Sequence, residues 1–259
     1  MSRLFKASVK KNSQLTKNHF LITLHPLEKI LTPKPGQFFM LSANYGTDPL
    51  LRRPFSFHRR LGKDFQILYR VLGKLTHILK DKKTRDIVEI MGPLGNGFPA
   101  AKTKEKPILV AGGLGVAPLF ALAETVAGEN PIFFLGAKNK EEVLCIDELK
   151  SIGINTIIST DNGTLGQKGL ITHIVKKFLT RNASHITDYR LYACGPKPML
   201  KNLSRLTKKI RLKGYIALEE NMACGMGACL SCVVNTRKGL KRVCKEGPVF
   251  PMGEIIWER

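Results

Sequence analysis

Residues 219–234 read EENMACGMGACLSCVV and a further cysteine stands at 244, so Cys224, Cys229, Cys232 and Cys244 form a C-x4-C-x2-C-x11-C array. Four thiolates at this spacing are the signature of a plant-type [2Fe–2S] cluster, in which a tight loop wraps one iron and a distant cysteine completes the second. The loop that supplies three sulfurs has to curl sharply while aiming backbone N–H groups at them. Gly225 and Gly227 permit the curl, and the small side chains of Ala223, Ala228 and Ser231 leave room for the cluster. Zinc would ask for paired C-x2–4-C knuckles, and no histidine follows Cys194. Disulfides would ask for an oxidising compartment, whereas the N-terminal MSRLFKASVKKNS has no apolar signal core and no stretch approaches a membrane span. The expectation is a cytoplasmic electron carrier that does not enter a membrane.

Working outward, the 259 residues divide into three blocks. Residues 1–102 carry short alternating runs, HFLITLHPL, QFFMLSA, DFQILYRVL and IVEIMGPL, separated by Pro and Gly turns, which predicts an antiparallel β-barrel. Residues 103–213 alternate apolar runs (PILVAGG, PIFFLGA, NTIIST, YRLYACG) with helical patterns, which predicts a parallel sheet covered on both faces. Residues 214–259 hold the cysteines and are too few for a large core of their own, so the cluster is expected to act as their staple. The fold class is therefore α+β and multidomain, with the lysine-rich AKTKEKP at 101–107 marking the first boundary.

The net charge of +22 raises a second class of function, a basic nucleic-acid-binding protein with a zinc-stabilised tail. Its lysines are dispersed from Lys6 to Lys245, with no Arg-rich arm and no RNA-binding aromatic motif, so a lysine-rich surface without nucleic acid is the expectation. The six histidines show no ligand spacing, Cys145 reads as helix core, and no acid–base catalyst is required of this chain.

Three glycine-bearing turns fall at strand ends. Ala111-Gly112-Gly113-Leu114-Gly115 opens a helix, where unpaired N–H groups favour a phosphate, although it is not the strict GxGxxG fingerprint. Thr160-Asp161-Asn162-Gly163 and Cys194-Gly195-Pro196 end later strands, where open α/β sheets place ligand-contacting loops. Earlier, Arg53-Pro54-Phe55-Ser56 offers a guanidinium fork and a hydroxyl at a strand edge.

RPFS, GPLGNGF, AGGLGVAPL, TDNG, YACGPKPM and the cysteine loop, in this order over the whole chain, resemble the ferredoxin–NADP reductase superfamily. Within it, the string LEENMACGMGACLSCVV followed by RVCKEGPVFPMGEI is similar to the electron-transfer subunits of class 1B dihydroorotate dehydrogenases. The resemblance implies an FAD-binding barrel (1–102), an NAD-binding α/β domain (103–213) and a [2Fe–2S] domain (214–259) facing an FMN-containing catalytic subunit in a heterotetramer of two of each. It implies FAD contacts from Arg53, Pro54, Phe55, Ser56, Leu68, Tyr69, Arg70, Leu75 and Thr76. NAD would lie on Gly112, Gly113, Gly115, Asp161, Cys194, Gly195 and Pro196, and the cluster on Cys224, Cys229, Cys232 and Cys244. Leu75 stands where the family's G-x-G-T element has its second glycine, and Ala111 where relatives have a first glycine. Electrons would pass from dihydroorotate through FMN, cluster and FAD to NAD⁺ in pyrimidine biosynthesis. The nearest alternative is a related reductase subunit serving NAD(P)H and ferredoxin or a sulfhydrogenase.

Overall fold

The computed structural model describes residues 3–43, 48–99 and 105–257. Residues 101–104 of the expected boundary, and the turn residue Gly46, lie outside the described residues. The chain builds β1 (Arg3–Gln14), β2 (His19–Pro26), β3 (Phe38–Ser42), β4 (Arg53–Ser56), β5 (Arg59–Leu61), β6 (Asp64–Arg70), helix α1 (Lys74–Lys80) and β7 (Ile87–Leu94). These strands pair antiparallel in the order β4-β3-β7-β1-β2-β6-β5. Among the described residues β4 and β5 remain the two edges, so the ladder is an open half-barrel rather than a closed ring. Period-two patterning sets its interior: Phe5, Ala7 and Val9 of β1 point inward with Ile22, Leu24, Phe39, Phe65 and Ile67. The rings of Phe39 and Phe65 stack at 4.6 Å.

The second sheet contains β8 (Lys106–Gly112), α2 (Val116–Val126), β9 (Ile132–Ala137), α3 (Ile146–Ser151), β10 (Thr156–Thr160), β11 (Gln167–Lys168), α4 (Ile171–Arg181), β12 (Tyr189–Cys194), α5 (Lys197–Lys209) and β13 (Gly214–Ala217). All of these strands run parallel, in the order β11-β10-β9-β8-β12-β13. Burial on both faces explains their near-continuous apolar sequence. α2 and α3 pack on one side with Leu109, Phe133 and Tyr192, while α4 and α5 pack on the other with Val110, Phe134 and Leu191. Chain order reverses between β8 and β12, and such a reversal opens a crevice at the carboxyl ends of the strands.

A hairpin of β14 (Val233–Thr236) and β15 (Gly239–Arg242) follows, and β16 (Val249–Pro251) then adds antiparallel to β13 as the edge of the second sheet. The parallel sheet thus runs past position 213 into the cysteine-bearing segment. That segment is held by more than its sulfurs: Cys232, Val243, Cys244, Phe250 and Met252 share one apolar cluster with Leu200, Leu203 and Phe134. Asn96, after β7, fastens it to the half-barrel: its N–H donates to Gly247 O at 2.6 Å and its amide to Glu246 O at 3.0 Å.

Candidate cofactor cavity and cysteine loop

A cavity of about 800 Å³ opens between the half-barrel, the start of α2 and the stretch after β13. Arg53, Pro54, Phe55 and Ser56 of β4 line it, as do Leu68, Tyr69 and Arg70 of β6 and Leu75 and Thr76 of α1. These nine residues come from three separate elements and meet because β4 and β6 curl toward each other at the open side of the half-barrel. Arg53 is exposed, with Nη1 donating to the Leu51 carbonyl at 2.8 Å. Tyr69 contributes a ring face only, since its hydroxyl donates to Asn12 Oδ1 at 3.2 Å and burial raises its phenol above the ordinary range. Thr76 Oγ1 accepts the Leu72 and Gly73 N–H groups at 2.9 and 3.0 Å, closing the first turn of α1. Leu75 is 3% exposed and packs in the half-barrel core. The volume is that of a large cofactor site, with an apolar floor and a cation at its edge, and the donor set fits a dinucleotide carrying a planar ring.

At the strand reversal the two glycine-bearing turns are in van der Waals contact. A Cβ on Gly115 would stand 2.1 Å from the Cys194 carbonyl, and one on Gly195 would stand 2.9 Å from the Gly112 nitrogen. A Cβ on Gly112 would meet Pro196 Cδ at 2.8 Å and Met199 Sδ at 2.7 Å. Gly113 adopts φ +52°, the left-handed turn that lets the chain leave β8 for α2. Six of the seven expected nucleotide residues therefore converge. The seventh, Asp161, sits on the same carboxyl edge two strands away, at the end of β10, where its N–H donates to Ala137 O at 3.0 Å. Of the seven, Cys194 also lines the cavity. Its thiol is 1% exposed and burial holds its pKa well above the ordinary value.

Several cavity residues were not among the site residues expected from the sequence: Leu114, Pro118, Lys197, Glu219, Glu220, Asn221 and Met222. Glu219 lines the cavity as an exposed residue near Cys194, and desolvation by the surrounding protein lifts its carboxyl above the usual range. Glu220 pairs with Lys197 at 2.6 Å. The available signal was position: both carboxylates follow β13 directly, on the edge where β8 and β12 deliver their turns.

Met222 lines the cavity, and two residues later the cysteine loop begins. Gly225 (φ +71°) lies against Met40 and Met91 of the half-barrel, its hypothetical Cβ 2.6 Å from Met40 Cγ. The sulfurs come in two couples: the Cys229 N–H points at Cys224 Sγ at 3.5 Å, and the Cys244 N–H points at Cys232 Sγ at 3.4 Å. Ser231 Oγ lies 3.2 Å from Cys229 Sγ and, with backbone N–H groups, brings that thiol down to about 6. Among the described residues no group of three or more His, Cys, Asp or Glu is placed to hold a single metal ion. Two thiolate couples, each approached by backbone N–H, fit a two-iron core better than one zinc tetrahedron.

Among the described residues no helix is long and apolar enough to cross a membrane. The model of the iron-sulfur cluster binding domain of dihydroorotate dehydrogenase B matches residues 219–256, and that of the oxidoreductase NAD-binding domain matches 109–205. A dihydroorotate dehydrogenase B (NAD(+)) electron transfer subunit of Desulforamulus reducens is 36% identical, over 100% of both chains. The one of Caldanaerobacter subterraneus subsp. tengcongensis is 38% identical over 97% of this chain and 98% of its own. A solved NADH-dependent reduced ferredoxin-NADP oxidoreductase superposes with TM-score 0.84 at 26% identity, covering 97% of this chain and 90% of that one. With full-length relatives of one kind and cofactor-binding models matching its two C-terminal parts, this chain belongs to the family of dihydroorotate dehydrogenase B (NAD(+)) electron transfer subunits.

Proposed function

We propose that the chain passes electrons from an FMN-containing dihydroorotate dehydrogenase subunit to NAD⁺, in a cytoplasmic heterotetramer of two copies of each. The observation that carries this reading is continuity: one wall of the cavity, Ala217–Met222, runs directly into the loop that begins at Cys224. FAD and a [2Fe–2S] cluster, when bound, supply exchange between one-electron and two-electron chemistry. The protein's part is placement. Arg53 supports the pyrophosphate, Ser56 the ring system, and Pro54, Phe55, Leu68, Tyr69, Arg70, Leu75 and Thr76 enclose the flavin. Gly112, Gly113 and Gly115 cradle the phosphates of NAD, Asp161 meets a ribose, and Cys194, Gly195 and Pro196 wall the nicotinamide side. Cys224 with Cys229, and Cys232 with Cys244, supply one thiolate couple to each iron. The division 1–102, 103–213 and 214–259 assigns one cofactor to each part, with the pairing of β12 and β13 joining the last two.

A related ferredoxin-linked reductase subunit is the second reading, favoured by the superposition on the ferredoxin-NADP oxidoreductase. Copurification and reconstitution separate the two. The anaerobically purified protein is expected to show flavin absorption over broad iron–sulfur bands, and to reduce NAD⁺ with dihydroorotate once the FMN subunit is added. Stable recovery with a hydrogenase-type partner, without dihydroorotate-dependent NAD⁺ reduction, would refute the pyrimidine assignment. Colourless, zinc-loaded protein would return the basic nucleic-acid-binding alternative.

A further inference from the structure

β15 ends on Arg242, opposite Val233 in the hairpin register and therefore beside Cys232, two residues before Cys244. Its guanidinium is fixed from two sides. Nη1 donates to the Gly227 carbonyl, in the middle of the C-x4-C loop, at 2.9 Å. Nε donates to Glu246 Oε2 at 3.0 Å and Nη2 to Glu246 Oε1. The backbone repeats the clasp, since the Arg242 N–H also donates to Glu246 Oε2 at 2.8 Å and the Glu246 N–H to the Arg242 carbonyl at 2.9 Å. Lys245 lays its stem over the same glycine, where a Cβ on Gly227 would meet Lys245 Cδ at 2.8 Å and Arg242 Nη1 at 3.4 Å.

An ordinary surface ion pair four residues apart would contribute little and would leave the arginine free to swing. Here the side chain is 28% exposed and one of its bonds reaches across fifteen residues to the loop that supplies two sulfurs. We propose that Arg242 is a positioning residue that pins the C-x4-C loop and, as a fixed cation, raises the reduction potential of the cluster held there. The inference rests on the proposed function, in which the four cysteines hold a [2Fe–2S] centre. Reduction of such a centre by one electron would add one negative charge to it. A cation held beside the loop stabilises the more negative state, whereas Glu246 opposes it from the far side of the guanidinium.

The test is a redox titration of the purified holoprotein followed by electron paramagnetic resonance, with iron content measured in parallel. Arg242→Gln is expected to lower the reduced-to-oxidised ratio at a given potential about tenfold, ~59 mV for a one-electron couple. Arg242→Lys keeps the charge and is expected to stay within a factor of about three of wild type. Glu246→Gln is expected to move the ratio the other way. Iron-replete Arg242→Gln with an unmoved potential overturns the proposal alone. If Arg242→Gln loses its iron, Glu246→Gln decides: a raised potential supports the proposal and an unchanged or lowered one overturns it. Wild-type protein without iron removes the functional reading and this inference with it.

Discussion

The parallel sheet and the cysteine-bearing tail are held by different forces. β8, β9 and β12 are walled on both faces by apolar side chains and paired in parallel ladders, so burial and backbone pairing together define their geometry. The tail contributes one short hairpin and a loop on which Met226 and Leu230 stand 60% and 59% exposed, with Leu230 in the left-handed region at φ +61°. A bulky residue at that φ costs roughly 1–2 kcal/mol. The sheet can keep its shape without a ligand, whereas the loop depends on what its sulfurs grip.

The sharpest way to break this comparison is to remove one sulfur. Changes merely adjacent to metal ligands cost about 10–100-fold in affinity or activity, and Cys229→Ser should exceed that in dihydroorotate-driven NAD⁺ reduction. Flavin absorbance is expected to persist, because the cavity draws its walls from the half-barrel and α2 as well. Full iron content in this variant would remove Cys229 from the ligand set.

The seam between the half-barrel and α2 responds to protons instead. His58, after β4, is 2% exposed, its Nδ1 donates to the Ala117 carbonyl of α2 at 3.1 Å, and its ring lies 4.7 Å from that of Phe120. Burial lowers its pKa from 6.5 to about 4. Above 6.5 both folded and unfolded chains hold it neutral; as pH falls toward 4 the unfolded chain takes a proton that the folded one refuses, so stability is lost by up to about 3 kcal/mol. Urea midpoints at pH 7 and pH 4.5 should show a smaller drop for His58→Asn than for wild type, and equal drops would exclude His58 as the source.

How much of this was legible in the sequence follows from the range of each signal. The cysteine array was legible because its spacing lies within twenty-one residues, and the fold brings it together as two couples. The strands PILVAGG and PIFFLGA were legible because burial on both faces leaves an unbroken apolar run. The open edges of the half-barrel were not, since closure is decided by which strands pair and not by any one strand's pattern. Glu219 was not assigned to the cavity for the same reason: strand order brings it to Cys194, and the two are twenty-five positions apart.

A smaller effect sharpens the cavity side of the comparison. Arg53→Ala removes an exposed guanidinium without touching the core, and loss of one charge-assisted contact of about 1.5–3 kcal/mol should weaken FAD binding by one to two orders of magnitude. Iron is expected to stay. Fluorescence titration of deflavinated protein measures the first and colorimetric iron assay the second; iron lost together with flavin would mean that cavity and loop form one unit.

The finest probe is Ser231, whose hydroxyl bridges the two regions. Its Oγ accepts the Ala223 N–H at 3.2 Å, donates to the Asn221 carbonyl at 3.3 Å and lies 3.2 Å from Cys229 Sγ. Asn221 is a cavity wall residue, so this one side chain ties the wall to a sulfur. Ser231→Ala removes bonds worth about 1 kcal/mol, and iron release to a chelator should quicken roughly five-fold. Thr207→Val deletes a hydroxyl bond to the Leu203 carbonyl at 3.0 Å inside α5 and serves as the matched change in the dry domain. It should lower the urea midpoint while leaving iron release unchanged. Equal iron release from both variants would mean that the loop draws its order from the shared apolar core, and the contrast between the two regions would then fail.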